Sequence, residues 1–142
     1  MTTPFSTYFD TSALIAGDTD VVSRDIVVAS GAQLAIGASV IGVTSTVVTT
    51  VLPRGTVLGR ITASDKYIVS IATASDGSQV PACVTACDID PSAGDVPGPA
   101  YFQGEFAAEK MSFDASWTAA TLEAAFRKNN TQVEVRSLGV LG

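Results

Sequence analysis

Histidine is absent from the 142 residues, and with it the side chain most often used as a general base near neutral pH. Charge is scarce: Asp, Glu, Lys and Arg make up only 15% of the chain. Strong helix formers are few, with four Glu and three Lys. No cluster of Lys or Arg stands against a net charge of -6, which argues against direct nucleic-acid binding and against an anionic membrane surface. The N-terminus, MTTPFSTYFD, has neither a basic region nor an apolar core and is not a secretory signal. The longest apolar run, residues 35–52, is broken by Gly, Ser and Thr and is too β-branched for a membrane span. The expectation is a soluble chain made in the cytoplasm.

Cysteine is limited to Cys83 and Cys87, in PACVTAC. On a strand they would lie roughly 13 Å apart at about 3.3 Å per residue, whereas a disulfide needs Cα atoms within about 7 Å. They read as two small buried hydrophobes. A metal site would need two more soft ligands, and there is no His to provide them.

What is abundant is Val (17) and Thr (16), both suited to a half-buried pleated surface. A hydrophobic fraction of 46% beside so little charge suggests that part of the apolar exterior is covered by other chains. The length fits one domain. Residues 1–20 read as an arm, polar but carrying Phe5, Tyr8, Phe9, Leu14 and Ile15 as anchors for a partner. Strands are expected over 21–29, 35–42, 43–51, 52–60, 66–72, 80–89, 100–107 and 132–136, with Gly104 marking a bulge. ASDGS (74–78) and DPSAGDVPGP (90–99) read as loops. The single expected helix is AATLEAAFRK (119–128): Thr118 is its N-cap, Leu122, Ala125 and Phe126 form its apolar stripe, and Asn129 with Asn130 closes it.

Tests for chemistry return little. No GxSxG, SxxK, GxGxxG or GxxxxGK[ST] occurs. Asp88, Asp90 and Ser92 match the first ligand positions of a calcium loop, but Ala93 stands where the turn glycine belongs and Pro99 where the bidentate Glu belongs. Asp88 with Asp90 as a glycosidase pair has no other support. Tyr101, Phe102 and Trp117 would serve a carbohydrate- or receptor-binding platform, the alternative reading. The chain reads as a binding or structural part, with no catalytic residues, no cofactor and no metal.

The order GDTDVVSRDIVVASGAQL, PRGTVLGRITASDKYI, ASDGSQVPACVTACDIDPSAGD, YFQGEFAAEKMSF and a terminal helix resembles the lambda-type head decoration proteins of tailed bacteriophages, over residues 14–136. The matching turn and strand positions are Arg54, Gly55, Gly59, Asp76 and Gly77. The resemblance implies a mainly β, compact β-tulip domain with one short C-terminal helix and an extended N-terminal arm. It implies a homotrimer at threefold positions on the outer face of the expanded virion capsid, bracing it against DNA pressure. The arm would bind the major capsid protein by strand addition. Neither nucleic acid nor membrane is an implied partner. Two departures stand out: the cysteines at 83 and 87, and a longer segment at about 37–54 that reads as an inserted hairpin. The domain proper then spans 21–142.

Overall fold

The computed structural model describes residues 14–15, 21–40, 43–129 and 131–136; Phe5, Tyr8 and Phe9 lie outside them. Among the described residues the order is β1 (Val22–Val28), β2 (Leu34–Val40), β3 (Val43–Thr49), β4 (Val57–Arg60), β5 (Tyr67–Val69), β6 (Pro81–Thr85), β7 (Val96–Ala107), α1 (Ala119–Lys128) and β8 (Gln132–Arg136). The fold is mainly β with a single α-helix near the C-terminus, as the composition predicts.

Strands β1, β5, β4, β6 and β7 follow one another around a sheet, and β7 pairs back to β1, so the five close into a barrel. β7 bonds along both edges. Tyr101 is paired with Ser23 of β1 and with Val84 of β6. Gln103 is paired with Val22 of β1 and with Gln132 of β8. β1 therefore takes one edge, while β6 and then β8 share the other. β8 runs parallel to β7, and α1 makes the crossover between them.

Both faces of β4 and β6 at the centre of this sheet are buried. Leu58, Cys83 and Ala100 point into the barrel with Ile26, Val28 and Val69. Their neighbours Val57 and Val84 point outward, into a second core with Phe106, Leu122, Phe126, Val133 and Val135. This explains why β4 and β6 read as continuous apolar runs rather than alternating ones. β8, covered on one face only, shows the alternation: Val133 and Val135 are buried between exposed Gln132, Glu134 and Arg136. The helix is capped by a reciprocal pair, in which Thr118 Oγ1 accepts from the Thr121 amide (3.2 Å) and Thr121 Oγ1 accepts from the Thr118 amide (2.9 Å). Asn129 closes it, its amide bonding the Ala125 carbonyl at 3.1 Å; Asn130 lies outside the described residues.

β5 is shorter than expected, at Tyr67–Val69, and three strand bounds and one bulge differ for reasons the structure shows. β4 begins at Val57 instead of Leu52, because Gly55 takes φ +96° and ends a turn there. β6 is five residues long instead of ten. β7 begins at Val96, inside the stretch expected to be a loop. Its Pro97 and Pro99 are tolerated because the Pro99 carbonyl faces away from β1, accepting from the Ala86 amide (3.1 Å). The amide of a strand residue points to the same side as its carbonyl, so neither proline removes a β1 ladder bond. The bulge is at Phe102, between the pairs Val22–Gln103 and Ser23–Tyr101, instead of at Gly104. Gly104 stays in register with Val133.

Gly59 marks the tightest approach in the fold. A Cβ there would stand 2.1 Å from the Ser78 carbonyl oxygen, against backbone that has no rotamer to yield. Gly31, by contrast, has φ +80° and open space around it. Urea denaturation should therefore show Gly59→Ala costing about 3 kcal/mol and Gly31→Ala, which suffers backbone strain alone, only about 1 kcal/mol.

Candidate functional site

The turn ahead of β4 is built on a buried threonine. Thr85 Oγ1 accepts from the amides of Gly55 and Thr56, both at 3.0 Å, and donates to the Pro53 carbonyl at 2.9 Å. Thr56 Oγ1 donates to that same carbonyl at 2.6 Å. Both threonines are fully buried, so every polar group in the knot finds its partner inside the protein. The Gly55 carbonyl accepts from Ser112, and the Ser112 carbonyl accepts from Val57, both at 2.9 Å. Arg54 leaves this knot toward solvent. Its Nη2 donates to the Tyr101 hydroxyl at 3.1 Å, and its guanidinium stands 5.7 Å from the Tyr101 ring centre.

At the other end of β4, the loop 76–78 folds back on residues 59–62. The Thr62 amide bonds the Asp76 carbonyl at 2.9 Å, and Ser70 Oγ donates to the Ser78 carbonyl at 2.7 Å. Asp76 Oδ1 accepts from the Ser78 amide at 3.0 Å and from its hydroxyl. These bonds, the hydroxyl's first, hold the Asp76 carboxyl below its ordinary 3.8. A Cβ on Gly77 would strike Thr62 Oγ1. Arg60 pairs with Asp65, and both are well exposed. Arg54 and Gly55 thus belong to the turn before β4, and Asp76 and Gly77 to a loop that packs against Gly59 near the other end of that strand.

Leu14 is occupied within the fold, and Ile15 is partly buried against it. Leu14 is buried in the outer core, its carbonyl accepting from the Ala107 amide at 2.7 Å, and Ile15 bridges Phe106. Both extend the β1 edge of β7 toward the N-terminus. The sequence placed them in an arm because no apolar period runs through 1–20; a lone buried Leu leaves no period to read.

The residues examined for chemistry are engaged elsewhere. Asp88 Oδ1 accepts from the Arg54 amide (2.8 Å), and Asp90 Oδ1 accepts from the Ser92 amide (3.1 Å) as the cap of a short 3-10 turn. Cys83 lies inside the barrel, where burial pushes its thiol far up from 9.0. Cys87 is also a free thiol. Among the described residues no three His, Cys, Asp or Glu side chains cluster as a metal site, and no helix is long and apolar enough to cross a membrane. Tyr101, Phe102 and Trp117 do not make a platform. Tyr101 stacks on Phe106 with ring centres 5.5 Å apart, while Phe102 points the opposite way and meets Tyr67 edge-on at 6.0 Å. Trp117 packs on the outer core and donates its Nε1 proton to the Ser70 carbonyl at 3.0 Å. Among the described residues, Ile36, Val47 and Val48 of the β2–β3 hairpin are exposed apolar side chains for which the sequence suggested no role, and Arg54 is exposed beside its turn.

A sequence model of the family described as bacteriophage lambda head decoration protein D matches residues 10–133 of the 142. No curated protein matches the chain closely.

Thr85→Val should cost about 1–3 kcal/mol by chemical denaturation, since it removes the acceptor of two buried amides, and Thr85→Ser should restore most of that. Stability should also follow the two kinds of shifted group. The Asp76 contribution is present above its ordinary value and lost as pH falls through its lowered one. The Cys83 contribution is present below 9.0 and lost as pH rises above it. With no His, melting temperature should be level between about pH 5 and 8. Cys83→Ala should move the alkaline decline toward the range of Tyr67, which burial raises from 10.0.

Proposed function

The chain belongs to the bacteriophage lambda head decoration protein D family, a capsid-decorating structural family and not an enzyme family, and from that premise we propose how it decorates. It binds the outer surface of the expanded phage capsid as a homotrimer at threefold positions, contacts the major capsid protein, and stabilises the shell against internal DNA pressure. The observation that carries this reading is the family match over 10–133. Two features of the fold are consistent with it. The polar groups of the turns at the two ends of β4 are spent on internal bonds, which suits a rigid part. The β1 edge of β7 is continued by Leu14 and Ile15, so the segment 1–13, with Phe5, Tyr8 and Phe9, is joined to the domain at a strand edge and could add a strand to a partner.

The capsid-binding segment is accordingly 1–13, shorter than the 1–20 suggested by sequence. Three such segments on one trimer would act together, so avidity carries much of the attachment. The test is co-sedimentation of purified protein with expanded undecorated heads, with unexpanded procapsids as control. Saturable binding to expanded heads alone is expected. Deleting residues 1–13 should abolish it while leaving the melting temperature unchanged; deleting 1–20 should lower the melting temperature as well, because Leu14 leaves the core. Full decoration by the 1–13 deletion would refute the arm's role, and equal binding to both head forms would refute recognition of the expanded state.

A further inference from the structure

Residues 26–53 are 28 consecutive positions without one Asp, Glu, Lys or Arg. All eight basic and fourteen acidic side chains lie elsewhere. The middle of this run is the β2–β3 hairpin, a two-stranded sheet outside the barrel. Ile36 stands directly opposite Val47 on one face, and Val48 opposite Ala35 on the other. Ile36, Val47 and Val48 are 39%, 54% and 53% exposed. A two-stranded ribbon is marginal in water by itself, and exposed apolar side chains such as these need cover.

Charge selects the occupant. Each chain carries -6, so two copies repel wherever their ionised surfaces face each other. The uncharged hairpin is where copies can meet with the least repulsion and with no ion to desolvate. A partner of strong charge would find no counter-ion there. We propose that the β2–β3 hairpin is the surface through which one copy of this chain meets the next, its Ile36, Val47 and Val48 side chains buried by a neighbouring copy. This deepens the trimeric reading and rests on it only for the number of copies.

The test is sedimentation velocity of the full chain across a concentration series, with Val47→Asp, Val47→Lys and, as a charge control outside the hairpin, Val80→Asp. Val80 is 39% exposed. Wild type should self-associate. Both Val47 variants should weaken association by about 30-fold or more, and Val80→Asp should leave it unchanged. The Lys variant separates burial from net charge, since it makes the chain less acidic yet should still dissociate it. Circular dichroism checks folding. Should the variants unfold, hydrogen exchange on wild type decides instead: amides of 34–49 should slow as concentration rises through association. A monomeric wild type, an oligomer unaffected by either Val47 variant, dissociation by Val80→Asp to the same degree, or disruption by Asp but not Lys would each overturn the inference. So would Val47 variants that stay oligomeric but lose binding to heads, which would make the capsid the occupant. Failure of wild type to bind expanded heads would instead count against decoration and leave the hairpin result standing.

Discussion

Strand β7 carries hydrogen-bond ladders on both of its edges, and the rest of the fold is arranged around that demand. One edge takes β1 and, beyond it, the Leu14–Ile15 segment. The other takes β6 and then β8. A strand so used must offer backbone groups to each side in turn, which fixes where its two prolines can stand and forces the extra residue, Phe102, to be taken up as a bulge. It also sets the two cores. Ala100 and Phe102 serve the barrel interior and Tyr101 the layer under the helix; past the bulge the alternation changes phase, so that Phe106 serves that layer too.

Much of this was legible in the sequence where the signal was local. The helix was readable to the residue because its cap, its apolar spacing and its basic last turn agree with one another. The start of β7 was hidden because VPGP carries every mark of a loop, and only the orientation of Pro99 toward β6 makes it a strand. Leu14 was hidden for the opposite reason: it is held by the Ala107 amide, 93 positions away, and buried in a core assembled from distant strands, and no nearby residue announces it. Gly59 was visible as punctuation, but the backbone it approaches, Ser78, was not.

The candidate site was legible mainly as an exclusion. The missing histidine and the absent motifs pointed away from catalysis, and the polar residues that remained turn out to hold the backbone together. Thr85 ties three residues of one turn, Asp76 ties another, and Asp88 steadies the Arg54 amide. Thr85 itself drew no notice in the sequence, since one Thr among sixteen looks like any other strand residue. The uncharged hairpin was visible as a β-branched run, but its two exposed faces appear only when the register places Val47 and Val48 on opposite sides.

The pairing of Ile15 with Phe106 on the same edge as β1 has a mechanical meaning. A pull on the N-terminal segment along the strand direction would enter the protein in line with this antiparallel ladder. The bonds would then be loaded in shear and would share the force, instead of parting one at a time as they do when a strand is peeled from its end. Because the barrel closes through β1 and β7, that load would pass around a ring and not stop at a loose edge. A closed ring of strands can hold tension that an open sheet of the same strands would release bond by bond.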